Sequence, residues 1–132
     1  MELAFQLDEI TSDGSVENAR LVADKKADFG LIQIDTEVND DLRAITHVYD
    51  EVIHILLRTD DQTSQISQFR GKKIACGLPN SGTQSVAKKL LRHYGLTSKD
   101  VTMLNLSPEE SMAKLTNKEV DVVILVTSAQ AP

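Results

Sequence analysis

Two short stretches carry the residue types from which a binding site could be built. Asn80, Ser81, Gly82 and Thr83 stand between an apolar run, Ile74, Ala75 and Cys76, and a helical pattern in which Val86, Leu90 and Tyr94 recur at i, i+4 and i+8. Thr11, Ser12, Asp13, Gly14 and Ser15 hold the same place ahead of Val16, Ala19, Val22 and Ala23. The first main-chain N–H groups of a helix have no internal partner and sit at the positive end of its dipole, so a carboxylate or phosphate can dock there. Glycine lets backbone approach closely, and serine and threonine add hydroxyl donors. The same hydroxyls can equally do no more than cap the helix. Residues 80–83 contain no Gly-Lys-Ser/Thr of a P-loop and lack the three-glycine dinucleotide fingerprint.

Other chemistry finds less support. A nucleophilic Cys76 would need His93 or His54 as its base, but Cys76 lies within an apolar run and reads as a small buried hydrophobe, so no enzyme activity is expected. His47, His54 and His93 show no metal-ligand spacing, and neither a metal nor a cofactor is expected. His54, inside an apolar stretch, reads as a hydrogen-bonded core or hinge residue. The adjacent acids Asp40 with Asp41, Asp50 with Glu51 and Asp60 with Asp61 read as solvated loop charge, with transporter docking as the other reading; Lys88, Lys89 and Arg92 read as the wet side of a helix.

These residues need elements to hold them. The chain of 132 residues is one domain's worth, or parts of two small lobes. Its 41% hydrophobic and 26% charged content is that of a globular protein, and no apolar run reaches membrane-spanning length. Residues 1–66 carry 15 acidic against 5 basic side chains, and residues 67–132 carry 5 against 9, which suggests two lobes of unlike surface. With a net charge of −6, no Trp and no basic-aromatic interleaving, nucleic acid is not an expected partner. The start of the chain has no basic n-region or cleavable apolar stretch, so no signal peptide is expected within it.

In chain order, Leu3, Phe5 and Leu7 alternate as a strand would, and Ser15 is the expected N-cap of the first helix, with Asn18 three residues on. Residues 29–34 form a nearly continuous apolar run, the pattern of a strand buried on both faces, with Asp35 at its C-terminal end. Residues 42–48 and 52–57 are two more apolar stretches, and 59–68 is a polar connection. Residues 101–106 and 121–126 read as strands, and between them Ser107, Pro108 and Glu110 form a capping box that contributes roughly 1 kcal/mol. The stretches from Ala19 and from Ala113 repeat one pattern of helix end, Lys-bearing turn, acidic residue and hydrophobic strand. That repeat predicts two strand-helix-strand modules, each a right-handed crossover in a parallel sheet.

The segments GSVEN (residues 14–18), GLIQ followed by Asp35, VYDEVIH (residues 48–54) and GKK-x-x-x-G-x-P-x-SGT (residues 71–83) resemble the TAXI family of solute receptors of TRAP transporters, and more broadly the chain is similar to type II periplasmic binding proteins. The resemblance runs over essentially the whole chain. It implies an α/β fold of two small βαβ lobes with mainly parallel sheets, residues 1–66 giving part of lobe 1 and the hinge strands and residues 67–132 part of lobe 2. It implies capture of a small polar or carboxylate solute such as an amino acid, and delivery to a membrane partner, in the periplasm or elsewhere outside the cytoplasm. Carried over by position, Gly14, Ser15 and Asn18 would line one wall of the cleft, Asp35 and Tyr49 would stand at it, and Ser81, Gly82 and Thr83 would come from the other lobe. Thr127 and Ser128 fall where a further cleft-facing helix usually begins. Asp13 replaces a more typical glycine, which would weaken an anion site there. A full receptor would have an export signal, a strand and a glycine-rich turn before Glu2 and much chain after Pro132, so the sequence is expected to be a receptor's middle, with exposed sheet edges able to pair as a homo-oligomer. A ligand-sensing domain of a larger membrane or regulatory protein, including the effector domain of a transcription regulator, is the alternative.

Overall fold

The computed structural model describes residues 6–129. The elements run α1 (Ser15–Ala23), β1 (Glu51–Leu57), a 3-10 turn (Ile66–Phe69), β2 (Lys73–Ala75), α2 (Gly82–His93), β3 (Thr102–Leu104), α3 (Pro108–Thr116) and β4 (Val122–Ser128). The strands form one sheet in the order β1-β4-β2-β3. Parallel pairs join β2 to β3 and β2 to β4, whereas β1 runs antiparallel to β4 from Glu51 opposite Ser128 to Leu57 opposite Val122. The sheet is therefore mixed.

Side-chain alternation divides the core between the two faces. Ile74, Cys76, Val122 and Ile124 point to one face, where Ala87 and Leu91 of α2 cover them. Ala75 and Val123 point to the other, covered by Leu115 of α3 and by Val120. Ile74, Val122 and Ile124 are fully buried, each worth about 1.5–3 kcal/mol by removal from water. Helices on opposite faces follow from connection handedness: the chain steps from β2 outward to β3 through α2, then back across β2 to β4 through α3. Two right-handed crossovers in opposite directions require opposite faces.

The helix ends are set locally. Ser81 Oγ accepts from Gln84 N at 3.1 Å, and Ser107 with Glu110 makes the reciprocal capping box before Pro108. All three helices close with the paired bonds of a Schellman motif. Gly95 (φ 72°) supplies the left-handed residue for α2, and lysines supply it for the other two, Lys25 (φ 57°) and Lys118 (φ 62°). The repeated Lys-bearing turn is thus one C-terminal geometry used twice.

The first half departs from the sequence reading. Leu3 and Phe5 lie outside the described residues, and Leu7 is exposed and outside any strand. Residues 29–34 are no strand: Asn18 Nδ2 donates to Leu31 O at 2.7 Å and Gln33 N donates to Ser15 Oγ at 3.1 Å, so side chains of α1 hold this backbone where a neighbouring strand was expected. Ile34 is wholly exposed. Residues 42–48 also form no regular element, and Ile45 is exposed. The first of the two expected strand-helix-strand modules therefore has only its helix among the described residues. Its N-cap is Gly14, one residue earlier than expected, because at φ 126° that glycine starts the helix and frees the Ser15 hydroxyl for Gln33.

Candidate functional site

In an open parallel sheet the crevice for a ligand lies beyond the carboxyl ends of the strands, where successive connections leave in opposite directions. Here that point falls between β2 and β4. The loop leaving β2 passes Gly77 (φ 81°) and Asn80 (φ 64°) and enters α2 at Gly82. Beside it β4 ends at Ser128, and Val126 N donates to Thr83 Oγ1 at 3.3 Å, tying the start of α2 to the end of β4. Gly77 has no room for a side chain: a Cβ would lie 2.8 Å from Ser81 Oγ and 2.9 Å from Thr83 Cβ.

The start of α1 is brought to the same place. A Cβ on Gly14 would lie 3.3 Å from Ser81 Cα, so the backbones of the two helix starts are nearly in contact. Ser15, buried, lies alongside: its Oγ would be 3.0 Å from a Cβ on Gly82. Gln33 fills the junction, with Oε1 only 1.8 Å from that Cβ position, while its Nε2 donates to Glu51 Oε2 at 2.5 Å. Gln33 Oε1 is buried and has no hydrogen-bond partner among the described residues. Glu51 opens β1 opposite Ser128, so the carboxylate also belongs to this edge of the sheet.

Five of the residues named from the sequence, Gly14, Ser15, Ser81, Gly82 and Thr83, therefore gather at one junction. The others are placed differently. Asn18 is occupied by Leu31 O through Nδ2 and by the Ser12 hydroxyl through Oδ1, and acts as a brace. Asp35 pairs with Lys89, Nζ to Oδ2 at 3.2 Å, seven residues along α2 from Gly82. Tyr49 is exposed ahead of β1. Thr127 and Ser128 are the last residues of β4, opposite Val52 and Glu51, and continue the strand where a helix start was expected. The sequence reading missed Gln33 and Glu51. Gln33, a single polar residue within an apolar run, was the available signal.

Cys76 and its two candidate bases have other neighbours. Burial raises the Cys76 thiol above its ordinary range, and Sγ faces Leu104 O at 3.5 Å. His93 is exposed and stacks edge-on with Tyr94, while His54 Nε2 donates to Ser128 O at 3.3 Å. The junction brings together two helix N-termini, the Ser15 and Ser81 hydroxyls, which accept from Gln33 N and Gln84 N and donate no bond among the described residues, and the Glu51 carboxylate.

Comparison with known proteins sets this α/β sheet, with helices on both faces, beside the periplasmic binding proteins. Residues 2–131 match the NMT1-like family, to which the chain belongs. Among solved structures it is similar to the periplasmic sulfonate-binding protein SsuA of a sulfonate ABC transporter from Methylobacillus flagellatus KT, at 26% identity and a TM-score of 0.52 over 56% of this chain and 22% of that one. The aliphatic sulphonate-binding protein SsuA from Escherichia coli matches at 22% identity and a TM-score of 0.49, over 59% of this chain and 27% of that one. The alkanesulfonate-binding protein SsuA from Xanthomonas axonopodis pv. citri, bound to MOPS, matches at 25% identity and 0.49, over 57% and 25%. The chain thus spans about a quarter of the length of these relatives.

Proposed function

We propose that this chain is the ligand-contacting part of a solute receptor acting outside the cytoplasm, which binds a small anionic or zwitterionic molecule without turning it over and presents it to a membrane transporter. The observation that carries the reading is the packing of the α1 and α2 starts against each other, Gly14 on Ser81, at the carboxyl edge of the sheet. Two helix N-termini that begin side by side favour an oxyanion more than either does alone. Membership of the NMT1-like family and the sulfonate receptor from Methylobacillus flagellatus support the same class. Within it, the segments quoted above favour a TAXI-type receptor of a TRAP transporter and a carboxylate such as an amino acid. In this reading residues 67–132 supply most of one lobe and residues 1–66 the hinge strand β1 and the facing wall.

A thermal-shift screen against amino acids, dicarboxylates and alkanesulfonates tests it. A ligand present at 100 times its dissociation constant adds about 2.7 kcal/mol to stability. Substituting Ser81→Ala with Thr83→Ala should then weaken the hit by roughly 1–3 kcal/mol if the hydroxyls hold it. A folded sample that no small anion stabilises would remove the reading.

A further inference from the structure

Away from the junction, an open groove of about 290 Å³ runs between the C-terminal half of α2 and the neighbouring edge of the sheet. Its floor is apolar, Leu91, Leu96 and Met103, and its rim carries Lys88 and Arg92. Both cations are exposed, and neither forms an ion pair with any described residue. They contrast with Lys89 one position along, which Asp35 neutralises. The groove borders β3, which among the described residues pairs with β2 alone and forms one edge of the sheet. Thr102 N donates to Lys72 O and Leu104 O accepts from Cys76 N, so these two residues face β2. Main-chain direction alternates along a strand, so the N–H and C=O of Met103 point outward, away from the sheet. An apolar floor, two unpaired cations and a free strand edge lie within one surface.

We propose that this groove docks an extended acidic segment of a protein partner, which adds alongside β3, places an apolar side chain on Leu91, Leu96 and Met103, and sets carboxylates against Lys88 and Arg92. Strand addition supplies main-chain bonds, and alternate side chains of the added segment reach the groove, so affinity and selectivity come from different atoms. Charge complementarity chooses the occupant: the half of the chain that forms the groove carries 9 basic against 5 acidic side chains. The groove lies at the opposite end of α2 from the Gly82 junction, and the proposal stands independently of the solute.

The test is an NMR titration of ¹⁵N-labelled protein with the pentapeptide Asp-Thr-Leu-Thr-Asp, whose leucine and two carboxylates share one face of an extended strand, and its neutral match Asn-Thr-Leu-Thr-Asn, repeated by fluorescence anisotropy with labelled peptides. The acidic peptide should shift the amides of Leu91, Leu96 and Met103, and added salt should weaken it. Reversing the rim with Lys88→Glu and Arg92→Glu should lower its affinity at least tenfold at an unchanged melting temperature. Met103→Pro, which removes the outward N–H and keeps the charges, should weaken both peptides. Equal binding of the two peptides, shifts confined to another surface, or no binding at millimolar peptide overturns the proposal. So does uptake of the protein by phosphatidylglycerol vesicles in the absence of peptide binding, which would assign the groove to a lipid surface.

Discussion

Gly82→Ala separates the effect of a missing side chain from the effect of the neighbour that occupies its place. Gly82 is the first residue of α2, and its backbone lies outside the left-handed region, so alanine meets no main-chain objection. In an empty site the change would stabilise by up to about 1 kcal/mol through helix propensity and a less flexible unfolded chain. The site is not empty. The new methyl would stand 1.8 Å from Gln33 Oε1 and 2.4 Å from its Cδ, so the amide must swing away and give up its bond to the Glu51 carboxylate. A bond to a charged partner is worth about 1.5–3 kcal/mol, which leaves Gly82→Ala a net loss of about 1–2 kcal/mol. Gln33→Ala clears the place beforehand, so in that background Gly82→Ala should be neutral or stabilising. The four proteins form a double-mutant cycle, read by urea unfolding followed by circular dichroism, with an expected coupling of about 2 kcal/mol. If Gly82→Ala costs the same with and without Gln33, the Gln33 amide does not fill the junction and the site geometry is wrong.

Three further outcomes follow from other residues. Gly77→Ala should cost more than Gly82→Ala, about 2–4 kcal/mol by urea unfolding, because it combines a left-handed backbone with a clash against Thr83 Cβ, which cannot swing away as Gln33 can. Asp61 is held well below the usual carboxylate range by hydrogen bonds from Thr63 and Lys72. Its pKa is depressed on folding, so its contribution is present above the unfolded value and is lost as pH falls toward the folded one. Asp61→Asn should therefore destabilise at pH 7, and the gap to the parent should close on acidification below about pH 4, measured by thermal unfolding across pH. Finally, the Cys76 thiol, buried and raised in pKa, should resist a disulfide reagent at pH 8 and react at once in urea; prompt native labelling would contradict its burial.

The second half of the fold was legible because its signals are local. Ser107, Pro108 and Glu110 specify a helix start through contacts within four residues, and Gly95 marks a helix end in the same way. Val122, Val123 and Ile124 lie in the strand expected at residues 121–126, although its antiparallel pairing with β1 was not foreseen. The apolar run at residues 29–34 reads equally well as a strand, but hydrophobicity reports the capacity for burial and says nothing of whether a partner is there. The site divided along the same line. Gly14, Ser81 and Gly82 were found because glycine and hydroxyl residues before a helix carry their own physical reason. Glu51 was read as loop charge beside Asp50, since only the register opposite Ser128 brings it to the sheet's carboxyl edge. Asp35 was read as a cleft residue, and the Lys89 that meets it lies 54 positions away.

Residues 29–34, Phe-Gly-Leu-Ile-Gln-Ile, also bear on how the protein behaves at high concentration. Six residues rich in β-forming side chains, uncharged and free of proline, match the composition of segments that stack into amyloid zippers. Phe29, Leu31 and Ile34 are 63%, 66% and 101% exposed, so their side chains are already presented, and stacking needs only the release of Leu31 O from Asn18 and of Gln33 N from Ser15. Asp28 and Asp35, immediately on either side, are the charges that oppose stacking of identical chains. Replacing both with asparagine should convert a clear solution into one that forms thioflavin-positive fibrils with a concentration-dependent lag, while Ile32→Lys should keep even that variant in solution. That pair of results would make the two aspartates gatekeepers of colloidal stability.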